Sequence, residues 1–127
     1  MPTEYRTHLP ERTELRMRVA LAGLALERFP EPRYKVFYRI NLHHTGKTSV
    51  RLLGRKWHLQ DATGNTRIIE AAQVFNNEPV LSPGAVFSFS GCQYFEKPPV
   101  RMELRLFGQG HNGSPFITPP LEIPLSV

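Results

Sequence analysis

Apolar and polar residues alternate with a period of two along much of the chain, the pattern of strands that bury one face. Val36, Tyr38, Ile40 and Leu42 alternate with Lys35, Phe37, Arg39 and Asn41, and their β-branched and aromatic content predicts a strand. Val100, Met102, Leu104 and Leu106 alternate with Arg101, Glu103 and Arg105 in a second. In Ala85 to Tyr94, Phe87 and Phe89 alternate with Ser88 and Ser90, which predicts that two rings enter the core from one strand. Near the start, Leu15, Met17, Val19 and Leu21 alternate with Arg16, Arg18 and Ala20, a pattern that suits a strand from Glu14 although these residue types also favour helix. Leu24 to Phe29 reads as one helical turn before Pro30-Glu31-Pro32, where the two prolines end any regular element.

The stretch Arg51 to Asn65 holds the lone tryptophan and organises the rest. Leu53, Arg55, Trp57 and Leu59 share one parity and Lys56, His58 and Gln60 the other, so Trp57 is the expected core anchor. Val50 and Leu52 have the opposite parity to Leu53, which predicts a β-bulge near Leu53-Gly54. Asp61-Ala62-Thr63-Gly64-Asn65 supplies turn chemistry, and a second strand is expected to fold back from Thr66 towards Phe75 until Asn76-Asn77-Glu78-Pro79 breaks it. Ser82-Pro83-Gly84, Lys97-Pro98-Pro99 and Gly108 to Gly113 mark further connections. In the last segment Phe116, Ile117, Leu121, Ile123 and Leu125 are apolar, and Pro119, Pro120 and Pro124 restrict it to an edge.

Seven or eight short strands separated by turn signals predict an all-β fold, an antiparallel β-sandwich, with a small barrel as the alternative. Residues 1–13 read as an N-terminal tail, either flexible or lying across the domain, and residues 14–127 as the sandwich domain. A chain of 127 residues suits one core without staples, and the single cysteine, Cys92, allows no internal disulfide. No apolar run long enough to span a bilayer and no secretory leader is visible, so a soluble cytoplasmic protein is the expectation. Sixteen Lys and Arg against eleven Asp and Glu leave a net charge of +5, but the basic residues are scattered as on a solvated sheet face, and no specific nucleic-acid partner is expected.

Four segments in order, YKVFYRINLHHTG, LLGRKWHLQDATGN, EPVLSPGAVFSFSGC and LEIPLSV, resemble the ApaG domain family. The likeness spans about Val19 to Val127, and the R-x-W, D-A-x-G and P-G-x-x-F-x-[FY]-x-S-G elements are far more specific together than singly. The resemblance implies a fibronectin-type-III-like, immunoglobulin-like sandwich, and it favours strand for Glu14 to Leu21. It implies function loosely: bacterial members are associated by name with cobalt and magnesium resistance and diadenosine-polyphosphate metabolism, whereas related eukaryotic domains occur in a substrate adaptor and a polymerase-interacting protein. Members commonly carry G-x-G-x-x-G where this chain has Ala71, Gln73 and Asn76. Glycines there would let backbone N–H groups approach a pyrophosphate, so their absence puts that ligand in doubt. Leu104 stands where the family usually has glycine.

The chemistry on offer is thin. His43, His44, His58 and His111 invite a metal reading, but adjacent strand residues point to opposite faces and no cysteine or paired carboxylate accompanies them, so no metal site and no cofactor are assigned. Gly46-Lys47-Thr48 lacks the first glycine of a phosphate loop, which would fall at Asn41. Ser88 and Ser90 lack the glycines of a nucleophile elbow, Cys92 suits packing, and Asp61 suits turn capping. No catalytic residue is assigned and no enzyme is expected. Arg55 shares the parity of Trp57 and so needs an acidic partner, an aromatic face or an anionic ligand.

These features predict a non-enzymatic recognition domain that binds a protein partner or associates with itself through strand edges and loops. The alternative is a small-ligand protein that binds a nucleotide-like anion through Arg55, Lys56, Ala71, Gln73 and Asn76, or a divalent cation such as cobalt or magnesium.

Overall fold

A computed structural model of the chain describes residues 16–28, 33–72 and 78–125. Among them the regular elements are all strands: β1 (Met17–Glu27), β2 (Tyr34–His44), β3 (Val50–Asp61), β4 (Thr66–Ala72), β5 (Val80–Leu81), β6 (Val86–Phe95), β7 (Pro99–Gly110), β8 (Pro115–Ile117) and β9 (Leu121–Glu122). They form two antiparallel sheets. One has the order β1-β2-β6; the other runs β4-β3-β7-β8, with β5 paired to β3 and β9 to β7. This is the fibronectin-type-III-like sandwich that the alternation and the family resemblance predict.

The core lies between the sheets. Val36, Tyr38, Ile40 and Leu42 from β2 meet Leu52, Trp57 and Leu59 from β3 and Met102, Leu104 and Leu106 from β7, all buried. Each fully buried aliphatic side chain here contributes roughly 1.5–3 kcal/mol over an exposed one. Phe87 and Phe89 pack against this cluster from β6, as expected, with ring centroids 6.3 Å apart. Tyr38 lies against Trp57 at 4.8 Å between centroids. That contact depends on Gly91, which pairs with Tyr38: a Cβ at Gly91 would come within 2.5 Å of the Tyr38 hydroxyl and 2.9 Å of its Cζ.

Irregularities in register explain where the simple alternation fails. The helical turn expected from Leu24 does not form. Instead β1 runs on to Glu27, and a shift between Leu21 and Gly23 makes Ala22 an extra residue. The inward parity thereby passes from Val19 and Leu21, which face Leu42 and Ile40, to Leu24 and Leu26, which face Tyr38 and Val36. A parity break that reads as the end of a strand is a bulge within one. The bulge predicted at Leu53 is present, as a shift in the β3–β7 pairing between Leu52 and Gly54. Val100 departs from its predicted inward position. Asp61 pairs with Pro99 while Gln60 pairs with Arg101, so Val100 bulges outward, 48% exposed, and Pro99 is buried instead.

The β3–β4 hairpin closes as the turn residues dictate. Gly64 N–H donates to Asp61 C=O and Asp61 N–H to Asn65 C=O, both at 3.0 Å, with Gly64 at φ 92°. This is a type I turn followed by a glycine bulge. β4 ends at Ala72; the remainder of the run expected to Phe75 lies outside the described residues, as do the tail of residues 1–13 and Phe29. The proline-rich final segment forms only the short β8 and β9, both on the outer side of β7.

Candidate functional site

The outward face of the larger sheet is a mixed-charge lattice. Lys56 stands between Glu70 and Arg105, His58 between Ile68 and Glu103, and Gln60 between Thr66 and Arg101. Arg101 bonds Glu103 at 2.8 Å and Glu122 at 3.4 Å, and Arg105 lies 3.9 Å from Glu103. Such surface pairs add little stability, and Lys56, Arg101 and Arg105 lie here on a solvated face.

The residues proposed for an anionic ligand are divided by the same alternation. Arg55 and Ala71 pair with each other and face inward at the sandwich margin, whereas Lys56 is on the outer face. The Arg55 guanidinium lies 5.2 Å from the centroid of Phe89, across the gap between the sheets. An aromatic face is thus one partner that the buried parity of Arg55 called for. Gln73 and Asn76 lie outside the described residues.

The histidines are dispersed. His43 faces outward on β2 between Arg18 and Val86, His58 is on the opposite sheet's outer face, and His111 is in an exposed turn. His44 is buried; its Nε2 is 2.5 Å from the Thr48 carbonyl oxygen and its Nδ1 has no partner. Among the described residues no three metal-ligating side chains converge. Cys92 is half-buried opposite Phe37. Asp61 does what its turn position predicts: its Oδ1 accepts from Thr63 Oγ1 at 2.6 Å, Thr63 N–H at 2.8 Å and Asn65 N–H at 3.2 Å. The Thr63 hydroxyl bond above all, opposed by desolvation and helped by the backbone bonds from Thr63 and Asn65, holds its carboxyl below the ordinary value of 3.8. Burial raises the Tyr38 hydroxyl above its ordinary value, with the charge of Arg55 opposing it most. Trp57 lies against that hydroxyl and also opposes the shift, yet its Nε1 has no partner of hydrogen-bonding geometry.

The surface that stands apart is the edge strand β4. Its hairpin closure at Asp61 and Asn65 sets the alternation of the ladder, so the backbone groups of Arg67, Ile69 and Ala71 bond β3 and those of Thr66, Ile68 and Glu70 point away. Thr66 to Glu70 are all exposed, with Ile68 at 63%. Within Thr66–Ala72 there is no proline, no lysine and no register shift against β3. Of the other margins, β1 has its bulge and prolines flank or begin β8 and β9, while β6 is as regular as β4 and has Arg67 lying against its Tyr94 end. Arg67 turns inward, donating to the Tyr94 carbonyl at 2.6 Å and lying 5.4 Å from the Phe95 centroid. Tyr94 is on the edge strand of the smaller sheet, so Arg67 caps one of its carbonyls, while the backbone groups of Thr66 and Ile68 point outward from β3. Ile68 and Ile69, adjacent and apolar, face opposite sides of this strand.

The ApaG domain (DUF525) family model matches residues 27–105. Protein ApaG of Xanthomonas oryzae pv. oryzae (strain PXO99A) is 28% identical over 121 residues, 94% of this chain and 95% of that protein. Protein ApaG of Maricaulis maris (strain MCS10) is 37% identical over 60 residues, 47% of this chain and 46% of that one. The crystal structure of the putative ApaA protein from Bordetella pertussis superposes with a TM-score of 0.75 at 22% identity, over 90% of this chain and 94% of that one, a likeness of fold.

Proposed function

The chain belongs to the ApaG domain family, and on that premise we propose that it is a non-catalytic recognition domain that binds another polypeptide along the outward edge of β4. The observation that carries this reading is the outward row Thr66, Ile68 and Glu70, a regular and unblunted strand edge with its largest apolar side chain exposed. An added strand would take its affinity from main-chain hydrogen bonds to this row and its selectivity from the side chains that flank Ile68. The hairpin that presents the edge is anchored by Trp57, so the row is held on a rigid sheet and needs no folding of its own. Support for a non-catalytic role comes from the inventory of side chains. Asp61 is engaged in its turn, Ser88 bonds Asn41 at 2.7 Å, and His43, His58 and His111 lie on separate surfaces.

The test is thermal unfolding of the purified protein with diadenosine polyphosphates, inorganic pyrophosphate, cobalt and magnesium, with chelator and plain salt as controls. A ligand that binds the folded state at a hundredfold excess over its Kd adds about 2.7 kcal/mol, a shift of several degrees. The expected result is no saturable shift beyond that of salt. A saturable rise with any one of these ligands would replace this reading with the small-ligand one.

A further inference from the structure

We infer that the polypeptide accepted by β4 is β4 of a second copy of this chain, paired antiparallel about a twofold axis at Ile68. The inference rests on the strand-edge reading above and deepens it. A twofold axis perpendicular to a sheet relates each strand to its copy with the same face upward, so one residue must lie opposite itself. Five positions from Thr66 to Glu70 can take that place, and the side chains separate them. An axis at Glu70 sets carboxylate against carboxylate, and one at Arg67 sets guanidinium against guanidinium; like charges directly opposite are destabilising. An axis at Ile69 places Ile68 against Glu70 of the second copy. An axis at Thr66 carries the pairing off the strand into the turn at Gly64.

An axis at Ile68 has none of these defects. Ile68 then faces Ile68 of the second copy, which covers an apolar side chain that is 63% exposed in the single chain. Thr66 faces Glu70 of the second copy and Glu70 faces its Thr66, so a hydroxyl donor meets a carboxylate on each side of the apolar centre. These are also the three residues whose N–H and C=O point outward from β3, so each opposed pair exchanges two backbone bonds and the outward edge is used along its length. On the inner face the stem of Arg67 comes to lie against Ile69 of the second copy, itself 36% exposed, while its guanidinium remains on Tyr94 and Phe95. The charge pattern and the apolar centre are therefore self-complementary in a single register. The contact is narrower than a standard protein interface, so the pairing is a concentration-dependent equilibrium rather than a permanent assembly.

Sedimentation over a hundredfold range of protein concentration tests this, with two substitutions at the axis and one elsewhere. Ile68→Pro removes the N–H at the centre of the pairing; that N–H faces away from β3, so the β3–β4 ladder keeps its bonds. Ile68→Lys places like charges together at the axis. Val86→Lys adds the same charge at a position just as exposed, 64%, on β6. Trp57 fluorescence reports that each variant is folded. The mass of the unsubstituted chain is expected to rise from 14.5 kDa towards twice that value at the highest concentration, and Val86→Lys is expected to follow it. Both Ile68 variants are expected to stay at 14.5 kDa throughout. An unsubstituted chain that remains a single copy at every concentration overturns the inference, as does a folded Ile68→Pro that associates as the unsubstituted chain does. Either result leaves the strand-edge reading to its own test, because that reading falls to a saturable small-ligand shift and not to the absence of a dimer.

Discussion

Gly91→Ala places a methyl group where the Tyr38 ring must lie to reach Trp57. The new Cβ would be 2.5 Å from the hydroxyl oxygen and 2.9 Å from Cζ, both closer than real Cβ contacts come. Tyr38 is buried and holds Trp57 at 4.8 Å, so it cannot swing clear without disturbing the largest side chain of the core. Overpacking of this kind costs about 1–3 kcal/mol. Replacing glycine by alanine in an extended strand returns about 0.4–1 kcal/mol through the unfolded chain. The net expectation is a loss of about 1–2 kcal/mol, which at a urea dependence of about 2 kcal/mol per molar lowers the unfolding midpoint by roughly 0.5–1 M. Trp57 is the single tryptophan, so its fluorescence reports both the unfolding transition and any change in its contact with Tyr38. Tyr38→Phe removes the nearest of the two clashing atoms, and Gly91→Ala should therefore cost about 1 kcal/mol less in that background. A cycle that is additive within about 0.5 kcal/mol would refute the reasoning, as would a Gly91→Ala variant with unchanged stability and emission.

Gly108→Ala should be far more damaging, because its Cβ would run into the Arg51 carbonyl oxygen and lie 2.9 Å from the Phe116 ring. A backbone atom of β3 cannot give way without breaking the β3–β7 pairing, so a loss above about 4 kcal/mol, or failure to fold, is expected in urea unfolding. Gly64 has open space around its Cβ position but sits at φ 92°, so Gly64→Ala should cost only about 1–2 kcal/mol, and Gly64→Asn less. The folded-state carboxyl of Asp61 titrates below the ordinary 3.8, so its contribution is fully present above that value and fades as pH falls through the lower folded value. The stability gap between the unsubstituted chain and Asp61→Ala should therefore be constant near neutral pH and close in acid; a gap that persists in strong acid would contradict the assignment.

Much of the sandwich was legible because its strands bury one face. Val36 to Leu42 and Met102 to Leu106 alternate in sequence and are buried in the structure on the predicted parity. Trp57 was identifiable as an anchor for the same reason, and the bulge at Leu53 because an apolar residue appears on each parity within a few positions. The bulge at Ala22 was not legible. Leu24, Ala25, Leu26 and Glu27 suit a helical turn as well as a strand that continues past a bulge, and only the pairing with β2 decides between them. Val100 was misplaced for a related reason, since the shift that turns it outward is set by Pro99 opposite Asp61. The site was less legible than the fold. The alternation does separate Arg55 from Lys56, but it does not show that the inward Arg55 meets Phe89 of the other sheet. The openness of β4 follows from the order of strands in the sheet, which no local pattern states.

The most direct test of β4 as a self-pairing edge is amide-resolved NMR of the protein over a concentration series. The odd and even residues of this strand should answer differently. The amides of Thr66, Ile68 and Glu70 should shift progressively and gain protection from exchange as concentration rises. Those of Arg67, Ile69 and Ala71 should be protected throughout by their bonds to β3. Concentration-dependent changes centred on any other surface, with the outward amides of β4 still exchanging freely, would contradict the account.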